Sequence, residues 1–274
     1  MNSQFTVIEA GSVERQYWRD IWRYRELLFF MAWRDILVRY KQTVVGVAWA
    51  VLKPLLTTFV FTFIFQGIAG MDSGPVPYAL LVMAGMMPWN FFSVAVTESG
   101  NSLVSNAGMV SKVYFPRLIV PAASLLPSFV DLLISGVILA AMMAWYGVVP
   151  GWQIVFLPFF LLVAAGVAFG AGVWLSALMV RYRDVRFIIP FAVQLGFFVS
   201  GVAVASDQIP DKWRFWYSLN PMVGVIDGFR WALLGHGQSV YWPAFAVSIA
   251  SVVLLVILGI VYFRRTERGF ADVI

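Results

Sequence analysis

Long apolar runs succeed one another along the chain, at about 44–69, 78–97, 118–146, 153–180, 187–205 and 241–263, with short polar stretches between them. Each is near the roughly 20 residues that a helix needs to cross about 30 Å of hydrocarbon, and the longer ones leave room for tilt. None shows the strict period-2 alternation of a lipid-facing strand, and an isolated helix satisfies its own backbone hydrogen bonds. The pattern predicts an all-α membrane protein of six transmembrane helices, forming a single domain over residues 1–274. No Gly-, Ser- or Pro-rich linker, low-complexity tract or obvious internal repeat divides it.

Three polar or mixed segments complete the pattern. Over 13–38, Trp18, Ile21, Trp22, Leu28, Ala32, Trp33 and Ile36 recur at roughly helical spacing, while Arg19, Asp20, Arg23, Glu26 and Arg34 fill much of the other side. Tryptophan beside arginine suits an amphipathic helix lying at the headgroup level. Residues 101–117 and 181–186 read as short loops, too small to hold a large partner alone yet able to dock as pegs in a partner's groove. Residues 206–240 carry Pro210, Trp213, Phe215, Trp216, Tyr217 and Asn220-Pro221, then a moderately apolar stretch from Met222 to Leu234. That stretch is about 20 Å long as a helix, too short to cross, and is expected to re-enter one leaflet. Asp227 and Arg230, at i and i+3, are expected to pair on it.

Composition agrees with lipid as the outer solvent: 61% of residues are hydrophobic and 12% charged, against roughly 25% charged in soluble domains. All of the 19 basic residues except Lys212, Arg214 and Arg230 fall on one side of the spans. The positive-inside rule then puts both termini in the cytoplasm. The net charge of +5 is mostly this asymmetry, and no basic stripe stands apart to bind nucleic acid. The first dozen residues are polar and acidic to neutral, so no cleavable signal peptide is expected.

Catalytic groups are scarce. There is no cysteine, and the single histidine, His236, sits in a Gly-His-Gly turn without a nearby carboxylate. No His/Cys/Asp cluster has metal-ligand spacing and no Gly-x-Ser-x-Gly elbow occurs. Intramembrane ionisable residues are scarce: Glu98 lies near the inner end of the second span and Asp131 midway along the third, and such residues suggest function because they are costly in lipid. They are too few for a chained proton relay. No Gly-rich phosphate loop is present, so uphill transport would need energy from another polypeptide. Aromatic residues are plentiful, at 24 Phe, 12 Trp and 10 Tyr. Phe59 and Phe63 share one face of the first span, with Phe61 and Phe65 roughly opposite.

Several segments resemble, in order, the ABC-2 type permeases of polysaccharide exporters. They are Arg39–Trp49 leading to Lys53-Pro54-Leu55, Gly85–Phe92, Lys112–Arg117, Arg181–Val185, Leu219-Asn220-Pro221 and Phe263–Val273. The likeness covers nearly the whole chain and is nearest to O-antigen and capsule export permeases of Gram-negative bacteria. It implies an inner-membrane homodimer joined by two copies of a separate ATP-binding cassette subunit, which would bind ATP and Mg. This chain itself would hold no cofactor or metal. The cargo implied is a lipid-linked polysaccharide moving from cytoplasm to periplasm.

On that resemblance, Arg34, Arg39, Lys41 and Lys53 are expected to meet the lipid pyrophosphate at the entrance, since arginine and lysine suit phosphate. Lys112, Tyr114, Arg117, Arg181 and Asp184 are expected on the surface that couples to the ATPase. Phe59, Phe63, Trp89 and Phe197 are expected along the channel. Trp213, Trp216, Asn220, Pro221, Asp227 and Arg230 are expected in an outer gate. An ABC-2 exporter of a small lipid or drug would share the fold, and a membrane-embedded enzyme is the reading from another class.

Overall fold

The computed structural model describes residues 14–41, 44–71, 74–202, 209–235 and 242–270, and these are helical with no strand among them. Five helical segments are long and apolar enough to span a bilayer: Ala48–Ile68, Tyr78–Ser105, Ile119–Tyr146, Trp152–Arg181 and Phe245–Thr266. The chain is a multi-pass membrane protein. The sixth expected run, 187–205, forms a helix of 15 residues, Val185–Val199, about 22 Å long; residues 203–208 lie outside the described ones.

The interfacial segment is two helices, α1 (Glu14–Arg23) and α2 (Arg25–Lys41), joined at Tyr24. Its apolar residues divide between two faces rather than forming one. Met31 and Ala32 are buried, and Ile21 and Leu28 pack with them against Leu103, Val110 and Phe115. Trp18, Trp22, Phe29, Phe30 and Trp33 point outward and are exposed. A helix held between protein and an apolar–polar boundary needs both faces.

The first span is α3 (Val44–Phe61), continued by a π-helical stretch over Thr62–Ile68. The second, α4 (Tyr78–Ser105), is the central helix and is buried along most of its length. It runs eight residues beyond the expected end at 97, because its polar residues bond back to their own helix. Asn101 Nδ2 donates to the Thr97 carbonyl at 2.8 Å and Ser102 Oγ to the Ser99 carbonyl at 2.7 Å. A short α5 (Ala107–Val110) follows, then the third span, broken near Ser124 into α6 (Ile119–Ala123) and α7 (Leu126–Tyr146).

The fourth span is α8 (Leu157–Arg181), preceded by a 3-10 turn at Trp152–Phe156. It is followed by α9 (Val185–Val199), α10 (Asp211–Ser218), α11 (Pro221–Leu234) and the last span, α12 (Trp242–Thr266). Helices α8 and α12 cross in near backbone contact. A Cβ on Gly259 would lie 2.5 Å from the Gly170 carbonyl oxygen, and one on Gly170 would lie 2.8 Å from the backbone of Leu255 and Val256. Small residues at such a crossing replace hydrophobic drive with close packing.

The core centres on α4, with α7, α8, α11 and α12 around it. The outer faces of α3 and α9 stay bare: Leu52, Leu56, Phe59 and Phe63 on one, Phe187, Phe191, Leu195 and Phe198 on the other, are exposed.

Candidate functional site at the two ends of the bundle

The basic end of the bundle gathers α1, α2, the loop after α5, and the end of α12. Helix α2 runs antiparallel to the last turns of α4. Arg34 Nη2 donates to Asn106 Oδ1 at 3.0 Å, and five residues on, Arg39 reaches Glu98. Arg39 Nη2 lies 2.9 Å from Glu98 Oε1 and its Nη1 lies 2.8 Å from Asp131 Oδ2. The Tyr40 hydroxyl donates to the other oxygen of Asp131. Burial, and then Asp131, hold that phenol protonated above its ordinary range. The acid near the end of the second predicted span and the one midway along the third thus meet one arginine from the interfacial helix. Ser128 and Ser135, the local partners that Asp131 has in sequence, are not bonded to it.

Of the expected entrance cations, Arg34 is also paired with Asp35 at 2.8 Å. Lys41, at the end of α2, and Lys53, midway along α3, are exposed. Arg39 is the one that reaches into the bundle.

A second cluster ties the loop before α6 to the end of α12. The Arg117 backbone N–H donates to Glu267 Oε1 at 3.0 Å, and its guanidinium donates to the Glu267 carbonyl. Arg117 also lies over the Phe270 ring, and Arg264 over the Tyr17 ring at 4.4 Å. Burial raises the Glu267 carboxyl above the usual carboxylate range, against the pull of the Arg117 amide. Burial, then the neighbouring Glu267 charge, raises Tyr17. Sequence spacing could not have joined residues 17, 117, 264 and 267. Lys112, Tyr114, Arg181 and Asp184 are exposed around this end, with Arg181 stacked on Tyr182. Arg117 differs from them in being half-buried and already bonded within the chain.

The expected channel aromatics fall into two groups. Phe59 and Phe63 stack on the bare face of α3, with centroids 6.5 Å apart. Phe197 instead packs edge-on to Phe61 at 5.4 Å and to Trp89 at 6.1 Å. Trp89, 4% exposed, is enclosed within the core. Its indole is the wedge that α4 offers to α9, close over Gly196; it is not on an open wall of the protomer.

At the opposite end, Asn220 caps α11. Its Oδ1 accepts from the Met222 N–H at 3.0 Å and its Nδ2 donates to Ser200 Oγ at 2.8 Å. Pro221 occupies the first turn, where its missing N–H costs nothing. Trp213 and Trp216 on α10 are exposed. Helix α11, by contrast, is buried on nearly every side. Arg230 is 1% exposed and donates through Nε to the Leu81 carbonyl at 3.1 Å and through Nη2 to the Val202 carbonyl at 2.6 Å. The expected Asp227 pair is present but long, at 3.9 Å. Gly85 leaves the room for this guanidinium: a Cβ there would lie 2.7 Å from Nη2. His236, expected in a solvated turn, lies outside the described residues.

A profile of the ABC-2 type transporter family matches residues 26–234, from the start of α2 to the end of α11. The chain belongs to the ABC-2 type transporter family. As a permease of that family it works with ATP-binding cassette subunits. It is 25% identical over 251 residues to an O-antigen export system permease protein RfbA of Klebsiella pneumoniae, covering 91% of this chain and 95% of the relative. It is 26% identical over 256 residues to the protein of the same name from Myxococcus xanthus, covering 93% of this chain and 97% of that one.

Proposed function

We propose that this ABC-2 permease exports a lipid-linked polysaccharide of the O-antigen type from the cytoplasm to the periplasm across a bacterial inner membrane. The observation that carries this reading is end-to-end similarity to permeases named for O-antigen export, over nine-tenths of both chains. Two copies of the chain form the channel, and two separate ATP-binding subunits bind ATP and Mg and hydrolyse it. The bare aromatic faces of α3 and α9 support a pairing of two copies along those helices. Helix α9 counts as the sixth span, and both termini then lie in the cytoplasm with the basic end.

The lipid diphosphate is recognised at the basic end by Arg39, with Arg34, Lys41 and Lys53 supplying the surrounding positive field. The glycan passes along Phe59 and Phe63, whose exposed faces can stack on sugar rings without binding any one unit tightly. Lys112, Tyr114, Arg181 and Asp184 receive the ATPase, and Arg117 carries the displacement inward through Glu267. Helices α10 and α11 re-enter the outer leaflet and form the gate, with Arg230 as its fixed point.

The test is depletion of the chain followed by separate analysis of lipid-linked polysaccharide inside the cell and at its surface. Long polymer accumulating inside, with loss outside, is the expected result. Normal surface polysaccharide without internal accumulation would overturn the polymer cargo and leave a small amphipathic lipid as the substrate of the same fold.

A further inference from the structure

The Arg39 site is already occupied by acids of the chain, and unequally so. Asp131 is held twice, by Arg39 Nη1 at 2.8 Å and by the Tyr40 hydroxyl, and its side chain is 25% exposed. Glu98 touches Arg39 through one oxygen at 2.9 Å, and its side chain is 52% exposed. One carboxylate is therefore a fixed anchor and the other a loosely held counter-ion open to solvent. Exposed ion pairs of the second kind are weakly held, while a partly buried, twice-bonded carboxylate is held more firmly.

This asymmetry has a consequence at a lipid surface. A bare arginine at headgroup level would be saturated by the phosphodiesters of bulk phospholipid, each carrying one negative charge and present in great excess. We infer that Glu98 is a displaceable counter-ion that sets the charge selectivity of the entrance. A lipid headgroup must outcompete Glu98 for Arg39, and a diphosphate, with at least two negative charges and bidentate geometry, does so where a singly charged phosphodiester does not. Asp131 and Tyr40 keep the guanidinium oriented throughout, so exchange costs one exposed pair and no rearrangement of α2. The inference rests on the proposal that Arg39 meets the lipid diphosphate, and it makes Glu98 a specificity residue of that site.

The experiment uses the full chain assembled with its ATP-binding subunits in nanodiscs, with radiolabelled geranylgeranyl diphosphate and geranylgeranyl methyl phosphate, a singly charged phosphodiester, as probes. The native protein is expected to prefer the diphosphate. Glu98→Gln removes the competing charge with little change of shape, and is expected to tighten phosphodiester binding on the order of tenfold while improving diphosphate binding less. The nanodisc-derived phosphatidylglycerol retained by the detergent-extracted variant should rise in parallel. Glu98→Ala replaces it if the glutamine variant yields no monodisperse complex. An unchanged ratio of the two affinities in a folded Glu98 variant, with Arg39→Gln abolishing both, overturns the selectivity role and leaves the entrance standing. Native binding of the diphosphate by Arg39→Gln overturns the entrance itself.

Discussion

The backbone N–H of Arg117 donates to the Glu267 carboxylate at 3.0 Å, fastening the loop before the third span to the end of the last helix, 150 residues along the chain. The same carboxylate faces Tyr17 and Arg264, so three segments of the basic end share one acid. Removing it with Glu267→Ala leaves a half-buried amide without its acceptor, at about 1–3 kcal/mol. Thermal unfolding of the purified permease–ATPase complex should register the loss. ATP hydrolysis should persist while its coupling to export falls.

The acid dependence of this junction has a definite sign. Burial raises the Glu267 carboxyl above its ordinary value of 4.5. A raised carboxyl binds its proton more tightly folded than unfolded, so its contribution to stability is fully present below about pH 4.5 and is lost as pH rises through the folded value. Glu267→Gln fixes the neutral form. The variant should be at least as stable as the native protein at neutral pH, and the gap between them should close on acidification toward pH 5. A gap that widens on acidification would mean the ionised form is the one held.

Three substitutions around Arg230 are expected to destabilise the protein to different extents. Arg230→Met strands the Leu81 and Val202 carbonyls and leaves Asp227 buried without its cation, a loss of roughly 3–5 kcal/mol for a broken buried pair. Gly85→Ala drives a methyl into the guanidinium from the other side, 2.7 Å from Nη2, at a cost of about 1–3 kcal/mol. Asp227→Asn keeps the shape and should be milder than either. Yield of monodisperse protein and its unfolding midpoint rank the three.

Much of this was legible in the sequence, and its failures have physical causes. Apolar length located five of the six expected runs as long apolar helices, with ends up to eight residues off, and helical periodicity put Phe59 and Phe63 opposite Phe61 and Phe65. The end of α4 was missed because Asn101 and Ser102 read as loop residues, whereas their side chains bond back to the helix. The enclosure of Trp89 within the core was not legible, because an aromatic run carries no label for which side is bare. The pairing of Asp227 with Arg230 was visible as i, i+3 spacing. The stronger partners of Arg230 are backbone carbonyls of Leu81 and Val202, and carbonyls leave no trace in a sequence. Arg39 was legible as a cation but its acids were not, since they come from two other helices.

The crossing of α8 and α12 has no slack. The Gly259 Cα approaches so closely that an added methyl would meet the Gly170 carbonyl oxygen at 2.5 Å, and neither atom is on a flexible side chain. Gly259→Ala must therefore push the helices apart, at about 1–3 kcal/mol or more. Gly108→Ala, at a glycine with open space around it, is the control and should be near neutral. Folded yield after detergent extraction separates them.

The aromatic residues of the first span offer the sharpest separation of transport from stability. Phe59 and Phe63 project from the bare face of α3 and are 69% and 59% exposed, so little of the protomer's packing depends on them. Phe61 is packed against Phe65 and Phe197 on the other face. The two pairs lie within one helix and differ only in the side they face. If sugar rings slide along the bare face, Phe59→Ala with Phe63→Ala should reduce surface polysaccharide severalfold while leaving the unfolding midpoint of the protomer nearly unchanged. Phe61→Ala should do the reverse first: it opens a void between α3 and α9 and costs about 2–4 kcal/mol for a partly buried ring, and export should fall only as folded protein falls. Phe59→Trp, which keeps a stacking face, should retain export where alanine does not. Equal export from the double alanine variant at equal protein abundance would remove stacking on this face from the transport path and leave those rings as lipid- or partner-facing surface.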